Sequence, residues 1–413
     1  MTSSATVPDA SSSTPLPSRA PLVWLAFGAF AVATEAFMIA PLLPDIATDL
    51  STGVGQAGQL ITVFALTYAI SSPVLTALTA NIHRRRLLIL CMAAFTLANL
   101  LAVAAGDYWE LMVARILLAF AAGLFLPNAT ALAGVLVPPQ QRGRALAIIS
   151  GGSSLAIVLG VPLGALIGHG FGWRMTFAGV AVLAAIATGG LMIGLPRDIG
   201  AALPVASLRQ RIEVARRPAV LTALLVTVLW ASGAYTLYSY LATYLAATAG
   251  VSGASLSAVL FVWGVAAATG VFSGGSLTDK LGARRVIVPA LSVLALAFAS
   301  LSASALWLTP AQALVPVLGA IVIWGFTAWT FMPAQQTRLI AIGGVAAAPV
   351  VLSLNASFMY AGFSLGAVFG SLTLNAASHT GLGVVGAAFE LLAVGLVLAT
   401  GRRAAVVPAV AAY

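Results

Sequence analysis

Apolar residues in this chain gather into long runs, and polar residues are confined to the short intervals between them. The runs fall at about 22–44, 56–81, 87–106, 108–137, 144–168 and 173–195, then at 219–246, 253–277, 286–307, 312–335, 350–376 and 381–401. About 20 apolar residues in a helix cross the roughly 30 Å hydrocarbon layer of a bilayer. In lipid, each backbone N–H and C=O must find its partner within the segment, so an apolar run of this length is a helix. Strands of a membrane barrel are segments of about 10 alternating residues, which excludes that architecture. The pattern predicts an all-α integral membrane protein of twelve transmembrane helices.

The polar intervals test the helix count. With both termini in the cytoplasm, the inner segments hold Arg19, Arg84–Arg86, Arg142, Arg144, the five arginines of the central interval, Lys280, Arg284, Arg285, Arg338, Arg402 and Arg403. That is seventeen of the nineteen Lys and Arg. Arg174 alone falls in an outer loop, and Arg115 lies within a helix. Inner loops of membrane proteins are enriched in Lys and Arg, and a miscounted helix would scramble this alternation.

The two sets of six runs repeat one another. Leu163–Gly168 reads LGALIG, and Leu365–Gly370, 202 residues later, reads LGAVFG. TANIHRRRLLI after the second run corresponds to LTDKLGARRVI after the eighth, at an offset near 198. The expected organisation is a flexible cytoplasmic tail (1–21), a six-helix bundle (22–195), a basic cytoplasmic linker (196–218), a second six-helix bundle (219–401) and a cytoplasmic tail (402–413). Parallel repeats of this kind build transporters whose site lies near the midplane, between the halves.

Composition agrees. Of 413 residues, 61% are hydrophobic and 7% charged, against roughly a quarter charged in a soluble domain. The net charge of +9 is spread between apolar runs rather than clustered on one face, so it marks topology and not nucleic-acid binding. The lone Cys91 allows no intrachain disulfide. The run after Arg19 is too long for a signal peptide and reads as the first span. His83, His169 and His379 are scattered near run ends, which offers no metal site. No H-E-x-x-H, G-x-S-x-G or phosphate-binding loop occurs. The expectation is therefore a protein without enzymatic activity or cofactor, driven by an ion gradient and not by ATP.

Several motifs carry a family resemblance over about residues 22–401. Thr34–Leu50 (TEAFMIAPLLPDIATDL) ends the first run. Gly274–Arg285 (GGSLTDKLGARR) matches a loop signature G-x-L-x-D-x-x-G-x-R-R after the eighth. Ala114–Gly123 (ARILLAFAAG) opens with an arginine in the fourth, and Leu159–Gly168 (LGVPLGALIG) followed by Gly172–Phe177 (GWRMTF) marks the fifth and sixth. Together these resemble the major facilitator superfamily, in particular its twelve-helix drug:proton antiporters of the bacterial sugar-efflux and chloramphenicol-exporter type. The first-half loop departs from the signature, with Ala77 in place of Gly and Asn81 in place of Asp. The resemblance implies two pseudo-symmetric six-helix bundles in a bacterial-type inner membrane. It also implies a monomer that exchanges protons for a small molecule.

Ionisable residues inside a membrane are rare and functional by default. Glu35 in helix 1 and Arg115 in helix 4 lie roughly 13 and 11 Å from the outer end at 1.5 Å per residue. At one depth they can share a pocket, and they are the proton-coupling candidates. Glu390 in helix 12 is a third ionisable group, with an interior polar contact as its expected role and a part in coupling as the alternative. Thr34, Met38, Trp230, Tyr235, Tyr238, Trp324, Phe331 and Gln335 are the candidate cavity residues, and Tyr244 an interfacial anchor. Aromatic walls with few polar groups suit a lipophilic cargo. Gly160, Pro162, Gly164 and Gly168 place small residues on one face of helix 5 for close packing, with Gly264, Gly270 and Gly274 of helix 8 as candidate partners. Asn81, Arg85, Asp279, Arg284 and Arg285 sit at inner helix junctions as candidates for a conformational latch. Proton-coupled export of lipophilic or amphipathic compounds is the function expected. Alternatives are export of a sugar, purine or amino acid on the same fold, a membrane enzyme, or a non-transporting receptor.

Overall fold

The computed structural model describes residues 20–138, 141–196, 206–344 and 347–404, the last four of these by backbone alone. The tails expected at 1–21 and 402–413 lie outside the described residues except at their inner ends, as does Arg197 of the linker. Among the described residues, twelve helices are long and apolar enough to cross a membrane. They are α1 Ala20–Asp49, α2 Val54–Leu78, α3 Arg84–Ala104, α4 Tyr108–Val135, α5 Arg142–Phe171 and α6 Trp173–Gly194 in the first half. The second half holds α7 Pro218–Tyr238, α8 Ala254–Leu281, α9 Ala283–Trp307, α10 Pro310–Gly343, α11 Ala348–Ala377 and α12 Leu382–Ala404.

The molecule is turned inside out relative to a soluble protein. Ile193, Phe272 and Trp307 are exposed on its outer surface, while Glu35, Arg115 and Glu390 are buried. Apolar surface needs no cover when the solvent is lipid, whereas charge does. Among the described residues, Arg84–Arg86, Arg142, Arg144, Arg284 and Arg285 stand where α2 gives way to α3, α4 to α5 and α8 to α9, one end of the alternating spans, called the basic end; Arg174 and Asp49 pair at the opposite end.

Local sequence explains the departures from regular helix. In α5, residues Ala156–Gly160 form a π segment just before Pro162. Proline lacks an N–H and its ring presses on the carbonyl four residues back, and a widened turn absorbs both faults. The run expected as one helix at 219–246 breaks at Ser239–Tyr240 and resumes as Leu241–Ala249. The turn from α8 to α9 is made by Gly282 at φ +84°, a conformation that costs glycine nothing. In the first half, that place in the loop signature is taken by Arg84, and the corresponding turn is longer, over Thr79–His83.

Small residues set how closely the helices approach. Gly160, Gly164 and Gly168 of α5 receive Thr34, Met38 and Leu42 of α1. Only Gly264 of α8 meets α5, at the backbone of Ile157 and Val158. Gly270 and Gly274, expected to face α5, instead meet the backbone of Phe326 and Thr330 in α10. Each half forms its own bundle, and the two meet chiefly along α2–α11 and α5–α8. A short linker helix, Leu208–Ala215, starts on a Ser207–Gln210 capping box. Its Arg211 donates to Ser353 Oγ of α11 at 2.7 Å.

Candidate coupling pair and aromatic chamber

Glu35 lies midway along α1 and Arg115 one third of the way along α4, and neither side chain has any exposed surface. Arg115 Nη1 donates to Glu35 Oε1. Arg115 Nε also donates to the Leu60 carbonyl at 3.3 Å, and its guanidinium lies 4.1 Å above the Phe64 ring centre. The second oxygen of Glu35 and Nη2 of Arg115 have no protein partner among the described residues. In a low-dielectric interior, mutual attraction repays desolvation of two charges only when their hydrogen bonds are complete. This pair is incomplete, so it is poorly explained as a stabilising element.

Phe64 connects the pair to a column of rings running between the halves. Phe64 lies 6.4 Å from Tyr360 of α11, and Tyr360 stacks on Tyr68 of α2 at 3.7 Å. Tyr360 also meets Phe363 edge-on at 5.3 Å, and Phe363 stacks on Tyr235 of α7 at 3.7 Å. The hydroxyls of Tyr68, Tyr235 and Tyr360 make no hydrogen bond among the described residues, although all three residues are buried. Beyond Tyr235, the side chains of Phe37, Trp230, Tyr238, Trp263, Trp324 and Trp329 enclose a cavity of about 20 Å³. That is room for about one water, so the chamber is collapsed upon itself.

Contacts between the halves close the chamber at the end opposite the arginines. Tyr238 Oη donates to the Phe37 carbonyl at 3.0 Å, and Ser371 Oγ to the Gly55 carbonyl at 3.0 Å. The Tyr240 ring presses on Gly58, where a Cβ would have no room.

The candidate residues separate into groups. Glu35 and Arg115 meet, and Trp230, Tyr235, Tyr238 and Trp324 line one chamber. Phe331 sits behind it, stacked on Trp230 at 4.9 Å. Thr34 and Met38 do not line the chamber, because the α5 glycines draw their face of α1 into helix packing; Phe37 takes that place. Gln335 is likewise diverted, donating to the Ala223 carbonyl at 2.6 Å and to Thr227 Oγ1 at 3.0 Å. Thr227 in turn donates to Asn355 at 2.7 Å, so this network ties α7, α10 and α11 together. Tyr244 is buried, not interfacial, and donates to the Leu301 carbonyl at 2.7 Å. Glu390 lies against Gly233 of α7, and both its oxygens lack a partner among the described residues, so the polar contact expected for it is absent.

The latch candidates are dispersed in this conformation. Arg85 donates to the carbonyls of Leu195 at 2.8 Å and Met192 at 2.6 Å, fastening α3 to the end of α6. Asn81, Asp279, Arg284 and Arg285 are exposed, and Asp279 joins none of the ion pairs among the described residues. Sequence reasoning passed over Phe37, Tyr68, Trp263, Tyr360 and Phe363. Phe37 lies two residues beyond Glu35, and Tyr360 and Phe363 share a helix face at i, i+3, a signal that any buried aromatic pair also gives.

Two six-helix bundles closing on an aromatic chamber beside a buried ion pair define a membrane carrier, a class that opens alternately to its two ends. The chain belongs to the Major Facilitator Superfamily, whose family model matches residues 25–367. It is 33% identical over 372 residues to the MFS-type transporter YbcL of Bacillus subtilis (strain 168), covering 89% of this chain and 93% of that one. The inner membrane transport protein YdhP of Escherichia coli (strain K12) is 32% identical over 393 residues, covering 93% and 96%. A chloramphenicol resistance protein of Streptomyces lividans is 34% identical over 286 residues, covering 67% and 73%. The same fold is seen in a bacterial homolog of the human lysosomal transporter Spinster, at TM-score 0.71 and 20% identity, covering 92% and 96%. The protein is a transporter of this superfamily, not an enzyme.

Proposed function

We propose that this protein is a proton-coupled antiporter that exports small lipophilic or amphipathic compounds by alternating access. It works as a monomer in a bacterial-type inner membrane, with the basic end and both termini in the cytoplasm. The observation that carries this reading is the buried, incompletely bonded Glu35–Arg115 pair, joined to the aromatic chamber through the rings of Phe64, Tyr360 and Phe363. The resistance protein of Streptomyces lividans supports export of a drug-like cargo.

The cycle follows from charge. With the chamber open to the outside, Glu35 takes a proton from the acidic side, is neutralised and loosens its hold on Arg115. With the chamber open to the cytoplasm, it gives the proton up and the carboxylate is restored. Cargo among the rings and a proton on Glu35 favour different states of one pair, so the two exchange. Each proton moving inward releases about 2.3 kcal/mol per 100 mV. Outward opening breaks the Tyr238–Phe37 and Ser371–Gly55 bonds, and the stacked aromatic faces are what cargo would separate. Metabolite export on the same fold is the alternative, and it would rely on the free hydroxyls of Tyr68, Tyr235 and Tyr360.

The test is uptake into inverted proteoliposomes under an imposed pH gradient, with a panel of drugs, sugars, purines and amino acids. Glu35→Gln keeps the neutral form permanently. It should abolish gradient-driven accumulation while retaining binding of neutral cargo, and Glu35→Asp should keep partial activity. Accumulation by Glu35→Gln equal to wild type would refute the coupling role.

A further inference from the structure

A groove of about 900 Å³ runs along the membrane-facing side of α8, α9 and α10, away from the chamber. Its walls include Phe261, Val265 and Leu281 of α8, Val293 of α9 and Ile323 of α10, all exposed. Three threonines also face it, but their hydroxyls are spent on backbone carbonyls, Thr330 also reaching the Gly270 carbonyl of α8 at 3.2 Å. Thr269 donates to Ala266 at 2.8 Å, Thr327 to Ile323 at 2.7 Å and Thr330 to Phe326 at 2.7 Å. The walls therefore offer an occupant apolar contact and no free donor, except at the basic end. There Arg285 lines the groove, with its guanidinium in no ion pair or hydrogen bond among the described residues.

The floor is closed. Gly270 and Gly274 of α8 rest on the backbone of Phe326 and Thr330 in α10, too close for a cargo to pass through to the chamber. An occupant must therefore remain in the membrane, with a long apolar body and an anionic end level with Arg285. Lys280 and Arg284 stand exposed beside Arg285, and Asp279 is the acid among them, so the cluster keeps an excess of positive charge. From Arg285 to Val293 is roughly 12 Å along α9, close to the roughly 15 Å of one bilayer leaflet.

We propose that this groove is a binding site for an anionic phospholipid of the leaflet at the basic end. An acyl chain lies between α8, α9 and α10, and the phosphate sits on Arg285. Any outward face of a membrane protein touches lipid; this groove selects and retains one by joining a fitted apolar wall to an unpaired guanidinium. Arginine matches phosphate geometry with paired donors, which lysine does not. The inference is independent of cargo and of proton coupling.

The test uses the full-length protein in detergent with equal amounts of phosphatidylglycerol, phosphatidylethanolamine and phosphatidylcholine, and reads retained lipid by native mass spectrometry. One basic residue near a headgroup changes affinity by about fivefold. Phosphatidylglycerol should be retained at least that much more than phosphatidylcholine. Arg285→Gln should lose about that factor, and Arg285→Lys should keep more of it than Gln does. Val265→Trp fills the groove and should lower retention of all three lipids. Arg209→Gln, the same charge change on the linker helix, should leave retention unaltered. Every variant is first required to be monodisperse with wild-type helix content. Equal retention of the three lipids by wild type overturns the proposal, as does wild-type retention by Arg285→Gln or an equal fall in Arg209→Gln. Displacement of the lipid by inorganic phosphate would mean a simple anion site. Displacement by the lipophilic cation tetraphenylphosphonium would mean a cargo route. Either result also overturns the proposal.

Discussion

In the first half, Gly160, Gly164 and Gly168 of α5 receive Thr34, Met38 and Leu42 of α1; in the second, Gly362 and Gly366 of α11 receive Ala231 and Tyr235 of α7, and Gly370 receives Tyr240 at the break just beyond it. The glycines recur at one offset of 202 residues, and the helix pairs they join are equivalent. What surrounds the two ladders differs. The first half buries a carboxylate and a guanidinium in contact. The second sets Tyr235, Tyr238, Trp263 and Trp324 around a cavity and buries an acid, Glu390, that has no partner among the described residues. The packing frame was kept in both copies while the chemistry diverged. The proposed function divides accordingly, with charge handled in one half and cargo largely in the other.

The harshest way to break this comparison is to leave one charge of the pair alone. Arg115→Ala strands Glu35 in the interior, and breaking a buried pair costs about 3–5 kcal/mol. The variant should melt far below wild type in detergent and transport nothing. Glu35→Gln combined with Arg115→Gln removes both charges, so it should regain most of the stability and none of the gradient-driven transport. If Arg115→Ala melts with wild type, the pair is not intact in the folded protein.

The ladders themselves can be compared next. A Cβ on Gly366 would lie 2.5 Å from the Ser232 carbonyl oxygen and 2.8 Å from the Tyr235 Cβ, both fixed by the backbone of α7. A Cβ on Gly164 would meet a Thr176 methyl at 3.1 Å and the Met38 Cβ at 3.3 Å, contacts that need to yield far less. Overpacking costs about 1–3 kcal/mol, so Gly366→Ala should fall in that range and Gly164→Ala below it. Thermal denaturation of the two variants decides this, and the reverse order would mean the second ladder is the looser one.

The loops between helices 2 and 3 and between helices 8 and 9 give a subtler contrast. Asp279 keeps the charge that Asn81 lacks, and a charged hydrogen bond is roughly twice as strong as a neutral one. We expect Asp279→Asn to slow transport more than Asn81→Ala at equal expression, with neither changing stability, since both residues are exposed and unpaired in this conformation. Equal rates in the two variants would remove Asp279 from any latch.

The smallest effect is expected at Glu390. With no hydrogen bond to lose, Glu390→Gln should leave gradient-driven transport unchanged. Loss of coupling there would move the proton site into the second half and undo the division drawn above.

Much of this protein was legible in its sequence because the membrane enforces simple rules. Backbone groups in lipid must bond within their own helix, so run length alone gives twelve spans, and the arginines order them. A charge in lipid demands a reason, so Glu35 and Arg115 stood out before their contact was visible. Which face of a helix looks inward is another matter. The whole α1 sequence is apolar around Glu35, and no periodicity separates Phe37, which lines the chamber, from Met38, which packs on Gly164. That choice was made by the α5 glycines, residues more than a hundred positions away. Gln335 was drawn from the cavity by Thr227 and Ala223 in the same manner. The spans and the intramembrane charges can be read from residue order alone, since both follow from the solvent. Tertiary structure decided the chamber walls, because in a uniformly apolar helix only a neighbour's shape distinguishes one face from another.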